Sequence, residues 1–149
     1  MIINKYKLLQ NLSETYCTYG VSKVHGVGVF AMRDIPKNTN PFPSIKNEMC
    51  VKLTDKDIMD LPEEVICKIK DIFIKKEGVY NIYNLGLNSL GVRFHVNHSK
   101  EPNIILTPTT GETYSSFTTI KKIKKGEELF WNYKTSDGEN ILDQYKFIK

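Results

Sequence analysis

Short runs of Val, Ile, Thr, Tyr and Phe, each ended by Gly, Pro, Asn or Lys, fill most of this chain, and that spacing leaves no room for a bundle of long helices. Tyr16 to Val24, Val27 to Met32, Val79 to Leu87, Gly91 to Val96, Ile104 to Thr107, Thr113 to Ile120 and Glu128 to Tyr133 read as strands. Helical periodicity is clear only from Pro62 to Lys76, where Val65, Ile66, Ile69, Ile72 and Phe73 recur at three- and four-residue spacing. Pro62 suits a first helical turn, Glu63 and Glu64 complement its positive end, and Lys75, Lys76 and Gly78 close it. Thr54 caps a shorter helical turn ahead of it. The stretch Pro36 to Pro43, with three prolines and two asparagines, interrupts either ladder and reads as an exposed connection. Together these segments make a β-dominated α+β domain with one main helix.

At 149 residues the chain has the size of one domain, with one core burying roughly 70 % of the unfolded surface. Hydrophobic residues at 40% and charged residues at 26% exclude disordered and collagenous classes. The net charge of +4 is compatible with an acidic or nucleic-acid partner without requiring one. Cys17, Cys50 and Cys67 are an odd set without short spacing, which points to a reducing compartment and neither disulfides nor a zinc knuckle. On a strand, His95 and His98 would point to opposite faces, so no metal site is expected. There is no Gly-x-Ser-x-Gly elbow for a hydrolase, and no apolar run of membrane-crossing length. A protein of the nucleus or cytoplasm, neither secreted nor membrane-bound, is the expectation.

Three segments in order carry the chemistry. Ser22 to Lys37 comes first, with His25-Gly26-Val27-Gly28-Val29-Phe30-Ala31 at its centre, then Arg93-Phe94-His95-Val96-Asn97-His98-Ser99-Lys100-Glu101-Pro102-Asn103, then Ile120 to Tyr133, ending in Gly126-Glu127-Glu128-Leu129-Phe130-Trp131-Asn132-Tyr133. In this sequence they resemble the signature motifs of the SET-domain lysine methyltransferases, and the likeness runs from about Tyr16 to Tyr133. The resemblance implies a fold of several small sheets with a pseudoknot and a single SET domain over 1–149. Within it, an insert at about 45–88 carries the helix and selects substrate, and a C-terminal tail occupies about 134–149. It further implies S-adenosylmethionine as cofactor and a protein lysine as acceptor, with a histone tail as the commonest case, laid along an exposed sheet edge.

Residue by residue, the resemblance makes Tyr133 catalytic, its hydroxyl orienting the methyl group and the lysine nitrogen. It assigns His25, Gly26, Val27 and Gly28 to the cofactor through backbone groups, Asn97 and His98 to the cofactor's adenine and amino-acid ends, and Arg93 and Phe94 to the same cleft. Tyr19, Trp131 and Tyr133 would line the lysine channel, with Trp131 either narrowing it or packing outside it. Methyl transfer to nitrogen is an in-line displacement, favoured by holding both reactants end to end away from water. The amine must be neutral, and a free lysine pKa near 10.4 makes that cost roughly 4 kcal/mol unless desolvation and the donor's positive charge lower it.

Departures from the family pattern matter as well. Asn38 stands where glycine is usual, which asparagine tolerates because it enters left-handed backbone readily. The cysteine-rich segment that follows the final tyrosine in many relatives is missing, so the tail, with Ile141, Leu142, Tyr145, Phe147 and Ile148, is expected to dock on the body, Tyr145 or Phe147 covering the adenine. Lys121, Lys122, Lys124 and Lys125 form either a solvated turn or a contact with nucleosomal nucleic acid. Besides the methyltransferase, two readings stay open: a catalytically silent SET-like module that binds peptide or protein, and a basic nucleic-acid binder.

Overall fold

The structure, a computed structural model, describes residues 5–43, 50–108 and 115–135. The expected tail beyond Thr135, with Tyr145 and Phe147, lies outside the described residues, as do positions 45–49 of the insert.

Small sheets dominate, as the short runs predict. β1 (Cys17–Val21) and β2 (Val27–Ala31) form an antiparallel hairpin in which Cys17 faces Ala31 and Val21 faces Val27. β3 (Cys50–Leu53), β4 (Lys75–Lys76) and β5 (Val79–Tyr83) make an antiparallel sheet in the order β3-β5-β4. β6 (Asn97–His98) pairs in parallel with β9 (Phe130–Trp131), and β7 (Ile104–Pro108) pairs antiparallel with β8 (Ser115–Thr119). Three helices accompany them among the described residues: α1 (Lys5–Ser13), α2 (Asp55–Ile58) and α3 (Glu63–Ile72).

Several expectations are corrected. The main helix stops at Ile72, because Phe73 takes an extended conformation (φ −102°, ψ 126°) and leads into a β4–β5 turn at Glu77 and Gly78, both with positive φ. Lys75 and Lys76, read as the helix end, are therefore a strand. Gly91 to Val96, read as a strand, contains instead the 3₁₀ turn Val92–His95, closed by Phe94 N–H donating to the Gly91 carbonyl at 3.2 Å. That removes the strand geometry on which His95 and His98 were separated; among the described residues, however, no three His, Cys, Asp or Glu side chains gather as metal ligands. Pro36 to Pro43 is not wholly exposed, since Pro41 is fully buried and the Phe42 ring meets Phe117 edge-on at 5.7 Å. Asn38 does adopt left-handed backbone, with φ 61°. Thr119, at 0% exposure, pins this loop, its hydroxyl donating to the Pro36 carbonyl (2.6 Å) and accepting from Thr39 N–H (2.9 Å).

Among the described residues there are two apolar clusters rather than the single core expected. The larger joins Val29, Ala31, Ile35, Val96, Ile104, Phe117, Ile123, Leu129 and Trp131. The second, in the insert, joins Ile58, Ile69, Phe73, Tyr80, Ile82 and Tyr83. The 3₁₀ turn fastens one to the other: Val92 and Val96 pack in the first cluster and Phe94 packs in the second.

Candidate active site

The first and last motifs meet because the chain from Gly126 to Trp131 is threaded between β2 and β6. On one side Gly126 N–H donates to the Ala31 carbonyl (2.8 Å), Ala31 N–H to Glu127 (3.0 Å) and Leu129 N–H to Val29 (2.7 Å). On the other, Ser99 N–H reaches the Trp131 carbonyl (3.1 Å) and Asn103 N–H reaches Phe130 (3.1 Å). The buried Asn103 side chain locks this crossing twice, donating to the Glu128 carbonyl and accepting from Phe130 N–H, each at 2.8 Å.

Glu128 is the hub that fixes the glycine loop. Its carboxylate accepts from the Ser22 hydroxyl (3.1 Å) and from the Asn97 amide (3.0 Å). Ser22 in turn accepts from the backbone N–H groups of Val24 (3.0 Å) and His25 (3.3 Å), while the Asn97 amide also reaches the carbonyls of His25 (3.1 Å) and Val27 (3.2 Å). Gly28 makes room for this: a Cβ there would lie 2.1 Å from the Glu128 Oε1. Gly26 serves differently, holding φ +49° with nothing within 4 Å of a Cβ. Lys23 to Val27 consequently present an exposed, backbone-rich loop held from behind.

Tyr133 stands two residues past β9, at the start of a 3₁₀ turn. Its hydroxyl donates to the Val96 carbonyl at 2.7 Å, and its N–H donates to His98 Nδ1 at 3.2 Å. The His98 and Tyr133 rings lie 5.3 Å apart. Burial, with the Lys134 charge, holds the His98 pKa below the usual imidazole range, although the Trp131 carbonyl pulls the other way. The neutral ring is what an acceptor Nδ1 requires. Trp131 is buried in the larger cluster, its indole 4.7 Å from the Tyr133 ring and 5.6 Å from Phe117.

His25, Val27, Gly28, Asn97, His98, Trp131 and Tyr133 are thus brought into one connected neighbourhood. Tyr19 is half exposed and meets His95 edge-on at 5.2 Å. Phe94 turns its ring toward Phe73 (5.5 Å) and Tyr83 (5.7 Å), and the Arg93 guanidinium lies over Tyr83 and Phe94. These two side chains couple the insert to the motif. Glu128, Ser22 and Asn103 were given no role in the sequence reading; only the adjacency of Glu128 to Leu129 inside the third motif could have signalled the hub. Burial pushes the Cys17 thiol up to about 12, which leaves it protonated at neutral pH.

Comparisons with known proteins agree with this architecture. The SET domain family model matches residues 26–134. No curated protein matches the chain. Among solved structures, the chain is similar to a Plasmodium falciparum protein assigned as a histone methyltransferase, with 21% identity and a TM-score of 0.54 over 84% of this chain and 98% of that one. It is also similar to Polycomb Repressive Complex 2 of Chaetomium thermophilum bound to GSK126, with 24% identity and a TM-score of 0.58 over 93% of this chain and 18% of that one. A humanized mutant of that complex bound to the same inhibitor gives 22% identity and a TM-score of 0.56, over 85% of this chain and 16% of that one. These likenesses are of fold, and the chain spans less than a fifth of the Polycomb chains.

Proposed function

Because this chain belongs to the SET-domain family, we propose that it is a protein-lysine N-methyltransferase that uses S-adenosylmethionine and accepts a histone tail as substrate. The observation that carries the reading is the Tyr133 hydroxyl fixed on the Val96 carbonyl, one residue before the Asn97-His98 pair that borders the glycine loop. With its proton directed at that carbonyl, the phenol could meet an acceptor amine only through its oxygen lone pairs.

The residues present fit such a donor. The exposed Lys23 to Val27 loop offers backbone groups, and Gly26 keeps its surface clear of side chains. When bound, S-adenosylmethionine supplies a methyl group on positively charged sulfur. His25 to Gly28 would hold its methionine and ribose, with Asn97 fixing the loop carbonyls and, with His98, bordering the donor's adenine and amino-acid ends. His98, its pKa lowered, would add no positive charge to a site that takes a positively charged donor. Tyr133 would orient the acceptor nitrogen and the donor's methyl group with its oxygen, its ring packed 4.7 Å from the Trp131 indole.

Calorimetric titration with the donor and radiolabelled methyl transfer to core histones test the reading. Tyr133→Phe is expected to lower turnover by roughly 100-fold while leaving donor affinity within a few-fold. Donor binding without transfer to any histone or lysine peptide would favour the silent binding module, and absence of donor binding would end the proposal.

A further inference from the structure

Among the described residues, one face gathers six cationic side chains. Ile35 and Ile123, both at 0% exposure, exchange two main-chain hydrogen bonds (2.8 and 2.9 Å), which stitches the turn at 33–38 to the turn at 120–127. The side chains around this bridge are exposed: Arg33, Lys37, Lys121, Lys122, Lys124 and Lys125. Against six cations stand two carboxylates, Asp34 and Glu127, a local excess of four. Both carboxylates are already engaged within the face. Asp34 pairs with Lys122 (2.7 Å) and accepts from Lys125 N–H (3.0 Å), and Glu127 accepts from Lys124 N–H (3.1 Å). The Arg33 side chain is fixed too, 4.2 Å over the Tyr16 ring and bonded to the Ser13 carbonyl at 2.7 Å.

We infer that this face binds the phosphate backbone of double-stranded nucleic acid, without reading its sequence. The chemistry favours a duplex over the other polyanions. Single strands are gripped by exposed aromatic platforms, and the Tyr16 ring here is covered by Arg33. An acidic protein needs apolar anchors at the centre of its interface; among the described residues of these two turns and their flanks, the exposed large apolar side chains are Met32 and Ile120, at 42% and 36%. What remains is a net-cationic surface on a stitched backbone, its two carboxylates engaged internally, which suits a regular array of phosphates.

The test is fluorescence anisotropy of the full chain with a labelled duplex DNA, a duplex RNA of the same sequence, the single strand and polyglutamate. With about four phosphates neutralised, affinity for duplex should fall roughly 100-fold between about 50 and about 200 mM salt. K121E/K124E/K125E should weaken it by at least ~10-fold, with the milder K121Q/K124Q/K125Q as a second variant if charge reversal disturbs folding. K52E/K56E/K70E, which moves the same charge on the insert, should leave duplex affinity nearly unchanged. The two duplex arms decide between DNA and RNA. No binding at low salt, equal losses in both lysine sets, or tighter binding of single strand or polyglutamate than of duplex would overturn the inference.

Discussion

Gly28 and Glu128 occupy what is in effect one site, since the carboxylate fills the volume a Cβ would take. Gly28→Ala should therefore displace Glu128, release Ser22 and Asn97 together and loosen the loop they hold. The expected result, read by calorimetric titration with the donor, is a loss of affinity of about 10-fold or more, on the order of 1.4 kcal/mol. Gly26→Ala meets no protein neighbour, so its cost to stability should be the strain of left-handed backbone, about 1–2 kcal/mol in thermal unfolding. The shared hub makes Gly28→Ala and Glu128→Ala non-additive, whereas Gly26→Ala and Glu128→Ala should couple less. A pH signature belongs at this scale as well. The folded pKa of His98 lies below its unfolded value, so the unfolded chain takes up the proton first. The stability contributed by the neutral ring is whole above about 6.5 and is lost as pH falls through the folded value. Melting temperatures measured from neutral pH downward should fall over that window, and His98→Gln should flatten the slope.

At the level of elements, the 3₁₀ turn Val92–His95 decides how the insert sits on the motif-bearing sheets, because its alternate residues enter different clusters. Phe94→Ala should speed amide hydrogen exchange in β5 while leaving β2 and β8 protected, a separation a single core would not allow. The same turn shows where sequence reading fails. Val92, Phe94 and Val96 alternate as a strand's residues do, but here the alternation serves two cores. β3 went unread because its exposed residues carry little pattern, and α1 because none of its residues is buried. The three motifs were legible because their order and glycine spacing are specific. The part played by Glu128 was not, since two adjacent glutamates read as solvated surface until the crossing at Asn103 brings one of them against Gly28.

For the whole molecule, division of the described core into two clusters means that stability is not uniform, with Phe94 and Arg93 reaching into the insert and Ile74 of the insert packing on the larger cluster. The larger cluster draws on the chain from Cys17 to Trp131, while the insert sheet is completed within 50–83. Synthesis on a ribosome runs in one direction. The insert can acquire its structure as a nascent hairpin and helix, whereas β2 waits for a partner, Gly126 to Leu129, made nearly a hundred residues later. Until that partner emerges, β2 offers a naked ladder to any passing polypeptide, so the threading that assembles this centre also defines the interval in which the newborn chain most needs a chaperone.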